Sequence, residues 1–168
     1  MFSFRRWTAG ALATAVVCAL SLPALAAPPA NGEKSGDWIF QCRGDANGAQ
    51  ECRATQTEVT KTPDGKTEPV LRAVVGRMPD KTLVFFAVVP LGIAIPAGVA
   101  FKVDESKQTM MAIEQCTPVG CEAAIKLDAK LLDQFKKGQV LKVGFMIRGK
   151  TLVVPISLKG FSGAVGRL

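Results

Sequence analysis

Histidine and tyrosine are both absent from the 168 residues of this chain. Without histidine there is no Ser-His or Cys-His nucleophilic pair, no imidazole general base and no His metal ligand. The remaining catalytic options are paired carboxylates or a Ser-Lys dyad. Adjacent Asp104 and Glu105 would point to opposite faces of a strand, and no serine stands in a nucleophile-elbow context. The expectation is therefore a protein that is not an enzyme, with no cofactor and no metal.

Other signatures are missing too. No C-x-x-C of the thiol oxidoreductases occurs, and the glycine-rich C-terminal segment Lys159-Gly160-Phe161-Ser162-Gly163-Ala164-Val165-Gly166 matches neither phosphate-binding glycine fingerprint. The Lys and Arg residues are scattered, with no block beyond Lys136-Lys137. No apolar run is long enough for a membrane-spanning helix, which needs about 20 residues. The longest apolar stretch of the N-terminus, residues 9–22, is interrupted by Gly10 and Thr14.

That stretch has another reading. It follows Arg5 and Arg6 and precedes Ala24-Leu25-Ala26, the small-residue pattern of a signal peptidase site. Residues 1–26 read as a signal peptide, cut between Ala26 and Ala27, since the alternative cut would leave Pro28 first. The surroundings of Cys18 do not resemble a lipoprotein site, and Trp7-Thr8-Ala9 matches the twin-arginine signal poorly. The expected product is exported, soluble and without a transmembrane helix, located in the periplasm, at the outer envelope or outside the cell. Cleavage leaves 142 of the 168 residues, enough for one domain. The leader holds two of the 21 Lys and Arg and none of the 14 acidic side chains, so the mature chain has a formal charge of +5. This moderate excess suits anionic envelope partners. Export and the lack of tyrosine argue against nucleic acid.

Four cysteines survive processing: Cys42, Cys52, Cys116 and Cys121. Export places them where disulfides persist. Each near pair brackets a turn-rich segment, which favours Cys42 with Cys52 and Cys116 with Cys121, worth about 2–3 kcal/mol each in the chain-entropy model. A four-cysteine zinc site and a redox dithiol are the alternatives, both poorly matched by C-x4-C spacing.

In chain order, residues 27–36 read as a disordered tail rich in Pro, Gly and charge. Strands are predicted over 37–42, 51–60, 70–78 and 83–89, separated by turn residues including Thr62-Pro63-Asp64-Gly65-Lys66 and Pro79-Asp80-Lys81. Arg43-Gly44-Asp45 in the first turn is an integrin-type tripeptide, but it is equally ordinary hairpin chemistry. Residues 83–89 are apolar at every position, which predicts a central strand buried on both faces. Short strands over 93–95 and 99–103, bent by Pro90, Gly92, Pro96 and Gly98, suggest a crossing between sheets.

Strands over 110–116 and 121–127 flank the hairpin Thr117-Pro118-Val119-Gly120. Cys121, Ala123, Ile125 and Leu127 share one face, which would turn the second bridge toward the core. Asp128 caps a helix over 129–137 with Leu131, Leu132 and Phe135 as its apolar stripe, and Gly138 stops it. Residues 139–147 alternate again, and the last strand, 151–158, contains Pro155, which points to a sheet edge or bulge. Phe161 would anchor a short terminal turn or helix. The fold class read from this pattern is all-β: an antiparallel β-sandwich of about nine short strands with one short α-helix near residues 129–137.

A set of residues carries a resemblance: Gly36-Asp37-Trp38 with Cys42 and Cys52; Pro90-Leu91-Gly92 and Pro96-x-Gly98; Asp104, Cys116 and Gly120-Cys121; and Pro155-x-x-Leu158-Lys159-Gly160-Phe161. In this order and spacing the chain resembles the invasion-associated locus B family, exported proteins of Gram-negative bacteria, over nearly the whole of residues 37–168. The resemblance implies a periplasmic or outer-envelope protein with two disulfides, in a family whose founding members are linked to invasion of host cells. The expected role is a non-enzymatic binding or adhesion module, its partner an envelope or host protein or glycan. The alternative is a structural or stress-protective envelope factor with no host-directed role.

Overall fold

The computed structural model describes residues 27–44 and 50–168. The leader expected over residues 1–26 and Asp45 of the Arg-Gly-Asp tripeptide lie outside the described residues. Ten antiparallel strands form one continuous sheet: β1 (Lys34–Ser35), β2 (Trp38–Gly44), β3 (Gln50–Lys61), β4 (Thr67–Arg77), β5 (Leu83–Val89), β6 (Val99–Val103), β7 (Thr109–Thr117), β8 (Gly120–Lys126), β9 (Val140–Ile147) and β10 (Lys150–Ser157). Their spatial order is β1-β2-β3-β4-β5-β8-β7-β6-β9-β10. Helix α1 (Ala129–Lys137) joins β8 to β9, and α2 (Phe161–Val165) follows β10.

The sheet folds over on itself at β7. Met110 and Met111 of that strand pair with β6, whereas Ala112 to Thr117 pair with β8, with a register irregularity between Ile113 and Gln115. One half of the sheet therefore contains β1 to β5 and β8, the other β6, β9 and β10. The far edge of the second half closes onto the first through a buried polar tie. Gln56 Nε2 donates to the Ser157 carbonyl at 3.1 Å, Gln56 Oε1 accepts from Ser157 N at 2.9 Å, and Trp38 Nε1 donates to the same carbonyl at 3.1 Å. The two halves thus face each other as the layers of a sandwich, with their inward side chains forming one core.

Helix α1 lies where the local chemistry directs it. The Asp128 carboxylate accepts from Leu131 N at 2.7 Å, and Phe135 at the end of the apolar stripe is fully buried. The Phe135 ring meets Phe85 of β5 at 5.4 Å, Phe101 of β6 at 5.9 Å and Phe161 of α2 at 5.3 Å, and Phe161 in turn meets Trp38 of β2 at 5.4 Å. Both sheet halves and both helices are joined through this one aromatic chain. Gly138 ends α1 with φ −72°, so its role is room, not a left-handed turn: a Cβ there would run into Val103 Cγ1 and lie 3.0 Å from Leu158 Cδ1.

Several expectations need correction. Residues 27–36, expected to be disordered, are held against the domain. Gly32 N donates to the Phe40 carbonyl at 2.7 Å, Cys42 N donates to Asn31 Oδ1 at 2.9 Å, and β1 pairs with β2. The C-terminus clamps this segment, because Arg167 forms a two-pronged ion pair with Glu33 and lies 5.3 Å over the Phe40 ring. That guanidinium holds the Glu33 carboxyl down at about 2. Composition alone predicted a tail; it is ordered by the adjacent strand β2 and by Arg167, 134 residues away in sequence.

The strand expected over 93–95 is an isolated bridge between Ile93 and Ile147, followed by a 3-10 turn at Ile95–Ala97. The crossing expected there is present, since β5 and β6 lie in different halves. Strand β5 is central, between β4 and β8, but only one of its faces is covered by another layer: Phe85, Ala87 and Val89 point inward, while Val84, Phe86 and Val88 point out. Pro155 lies on β10, the edge strand it was expected to mark.

Both near pairs of cysteines are bonded as expected, each joining directly opposed residues of a hairpin with Cα atoms 4.0 Å apart. The two bridges close separate hairpins, so the four cysteines do not converge as the zinc alternative requires. The second bridge is on the core-facing side of its hairpin, at the margin of that half of the sheet: Cys121 is 2% exposed, whereas Cys116 on the outer strand is exposed. Replacing Cys42 and Cys52 with alanine is expected to cost about 2–3 kcal/mol, and replacing Cys116 and Cys121 slightly less because the closed loop is shorter. Denaturant midpoints and slopes together would check this, the slope rising as the uncrosslinked denatured chain expands. Equal losses under reducing and oxidising conditions would contradict it.

Candidate binding face

The uncovered outer face of β2, β3, β4, β5 and β8 is assembled by register. One row across it reads Ile39, Thr55, Val74, Phe86, Ala124 and Ala112; the rows on either side contain Gln41, Arg53, Gly76, Val84 and Lys126, and Thr57, Arg72, Val88 and Glu122. The centre is apolar. Val74 and Val84 are buried, and Phe86 and Val88 half-buried, although nothing but flanking side chains shields them.

Arg53 supplies much of that shield, its guanidinium carbon 5.8 Å from the centre of the Phe86 ring. Gly76 makes the arrangement possible. It sits directly opposite Arg53, and a Cβ there would come within 3.0 Å of Arg53 Cγ, so the mid-strand glycine gives the arginine stem a bed to lie on. Arg72 stands opposite Val88 on one side, and Glu122 opposite Val88 on the other. Among the described residues, neither Arg53 nor Arg72 has a carboxylate within 4.0 Å.

Phe86 divides two concavities. The first, about 200 Å³, is lined by Arg43, Arg53, Arg72, Glu51, Glu122 and Gln41 over a floor of Val74, Phe86 and Val88. The second, about 550 Å³, is mostly apolar, with Met78, Pro79, Val84, Ala124 and Ile125 beside Glu114 and Lys126. The disulfides clip the β2–β3 and β7–β8 hairpins at the two sides of this face, so the slab is held at both margins. Such a surface can stack planar or ring-shaped groups on its floor and offer forked donors to carboxylate or hydroxyl oxygens.

The carboxylates singled out in the sequence serve structural ends. Asp104, at φ 47° in the turn after β6, accepts from Gln139 N at 3.1 Å and Val140 N at 2.9 Å, which anchors the start of β9. Glu105 binds Lys142 Nζ at 2.8 Å and Lys102 Nζ at 2.9 Å, and these two ammonium groups hold its carboxyl down at about 2. The four cysteines are consumed in bridges. Arg53, Arg72 and Phe86 did not stand out in the sequence, and the one signal for them was the unbroken apolar run of β5, which reads the same for a doubly buried strand.

This architecture defines a disulfide-stapled all-β domain, a sheet rolled into a sandwich with an unlayered outer face. The chain belongs to the invasion associated locus B (IalB) protein family, whose model matches residues 38–168, every element from β2 onward. It is 26% identical over 134 residues to an invasion protein B homolog of Brucella abortus strain 2308, covering 79% of this chain and 75% of the relative, and a homolog from Brucella abortus biovar 1 strain 9-941 gives the same figures. The crystal structure of invasion associated protein b from Bartonella henselae superposes with a TM-score of 0.67 at 27% identity, covering 80% of this chain and 92% of that one.

Proposed function

We propose that this chain is an exported, non-catalytic binding module of the bacterial envelope that engages a protein or glycan partner through the outer face of β2, β3, β4, β5 and β8. The observation that carries the reading is β5: it is apolar on both faces, and the domain covers only one. A strand that keeps Phe86 and Val88 on an unlayered face, beside Arg53 and Arg72, which among the described residues form no ion pair, has the composition of an interface centre, where aromatic residues and arginine concentrate. Export is supported by the leader pattern of residues 1–26 and by two disulfides. Among the described residues, no helix is long and apolar enough to cross a membrane. The designation of the Brucella and Bartonella relatives as invasion proteins favours a host-directed partner.

Site-specific photocrosslinking in the native bacterium tests this. A crosslinker at Arg72 or Glu122 is expected to give a discrete adduct that one at Lys130, on the exposed side of α1, does not give. Arg53→Glu in the same background is expected to reduce that adduct at least fivefold. Identical patterns from all three positions would sink the proposal.

A further inference from the structure

The other sheet half carries a second, independent feature on its own outer face. Here a groove of about 270 Å³ runs across β7, β6, β9 and β10. Its floor is one register row, Met110, Ala100, Gly144 and Val153, with a single residue from each strand. The two middle residues are small and the two outer ones stand up as walls. Met146 adds a third apolar wall further along β9. Met110 is 53% exposed, Met146 39% and Val153 55%, which is unusual for large apolar side chains grouped on one face.

Gly144 is the informative position. Its backbone lies outside the left-handed region, and a Cβ on it would meet Val153 Cγ2 at 3.7 Å, an ordinary contact. Neither conformation nor crowding within the chain requires glycine there. Glycine in the middle of a strand weakens it, and an unforced one marks a place that something else approaches closely. The methionines are suited to line such a place, since flexible thioether side chains adapt to an alkyl surface.

One end of the groove is polar. Two residues beyond Ala100 and Gly144, Lys102 and Lys142 stand directly opposite each other, an arrangement that like charges disfavour. Among the described residues Glu105 is the one carboxylate bound to them, and it bridges both, so the cluster of two ammonium groups and one carboxylate keeps a net positive charge. The centre of the floor, Ala100 and Gly144, lies on strands paired on both sides, so a peptide would find no main-chain partner over it and free groups only along the outer edge of β10. From Lys142 to Met146 the strand extends about 13 Å, the length of an extended chain of roughly ten carbons.

We propose that this groove binds a medium-chain fatty acid, its alkyl chain lying over Ala100 and Gly144 between Met110, Met146 and Val153, and its carboxylate on the ammonium groups of Lys102 and Lys142. The site is separate from the β5 face and stands whether or not that face has a partner. The test is a titration of the mature protein, labelled with carbon-13 in its methionine methyl groups, with decanoate below its micelle concentration. The Met110 and Met146 signals are expected to shift saturably, while Met111, buried on the inner face of β7, does not. Decyltrimethylammonium, with the same chain and the opposite charge, is expected to bind at least tenfold more weakly. Gly144→Leu, which fills the groove at an unstrained position, should abolish the shift, with the milder Gly144→Val as a check should the larger residue unfold the domain. Joint replacement of Lys102 and Lys142 by alanine should weaken decanoate roughly tenfold. The proposal is overturned if the shifts rise linearly without saturation, if the cationic amphiphile binds equally well, or if Met110 and Met146 respond only to phosphatidylglycerol vesicles and not to decanoate.

Discussion

Phe135→Ala lowers the stability of the domain by about 3–5 kcal/mol, the range for removing a buried aromatic ring from a packed core. The ring is fully buried and sits edge-on or tilted against Phe85, Phe101 and Phe161. Each such pair adds about 0.5–1.5 kcal/mol beyond the area it buries. A domain of this size has about 5–15 kcal/mol in total, so the variant loses a large share of it. The position matters more than the residue type, because Phe85 and Phe101 come from opposite halves of the rolled sheet and Phe135 is the side chain between them. Phe135→Leu, which keeps most of the volume, should lose less than half as much. Equilibrium unfolding in urea reads both, with the oxidised protein used throughout so that the disulfides do not contribute to the difference. A loss below about 1 kcal/mol for the alanine variant would mean that α1 does not hold the two halves together.

Which parts of this fold could be read in advance follows from how far apart the deciding groups lie. The alternation of Cys121, Ala123 and Leu127, and of Leu141, Val143 and Phe145, places each on the buried side, because one strand's own period carries that information. Helix α1 has the limits expected of it, since Asp128 and the apolar stripe act within one or two turns. Both disulfides join neighbours in a hairpin, and the turn residues between them are local as well. The corner in β7 is different. Its first residues pair with β6 and its last with β8, and nothing within residues 109–117 distinguishes the two partners.

The same limit applied to the candidate face. An unbroken apolar strand states that both faces avoid water, but not whether a second layer of the same chain is available to cover them. In β5 the inner face meets the core and the outer face meets only Arg53 and its neighbours, a distinction set by the topology of the whole sheet. Gly76 could have drawn attention as a mid-strand glycine, yet its meaning depends on Arg53 lying opposite, more than twenty residues earlier. The small residues of the Met110 groove have the same character: Ala100 and Gly144 become one floor only once β6 and β9 are paired.

Gly160→Ala is expected to be at least as damaging as the loss of Phe135, and for a reason that the core does not supply. Gly160 holds φ 86° at the start of α2, a left-handed conformation that by itself costs an alanine about 1–2 kcal/mol. A Cβ there would also overlap the Ser35 carbonyl and lie 2.6 Å from the Gly36 nitrogen, all backbone atoms that cannot rotate away. The contact is mutual: Gly36, at φ 58°, presses in the same way on the Lys159–Gly160 backbone, and the crossing is sealed by Asp37 N donating to the Lys159 carbonyl at 3.1 Å and Ser35 Oγ donating to the Gly160 carbonyl at 2.8 Å. Two glycines more than a hundred residues apart thus allow one backbone to cross another, directly beside the Trp38–Phe161 contact. An alanine at 160 must push the two segments apart, so the clamp on residues 27–36 should open together with α2. Hydrogen exchange would show this as joint loss of protection at Asp37, Phe40 and Ala164 while β8 and β9 keep theirs. Gly32→Ala, at φ 81° but with open space around its Cβ, separates the two contributions: it should show the conformational cost alone, and a Gly160→Ala loss no larger than that of Gly32→Ala would mean that the crossing yields without strain.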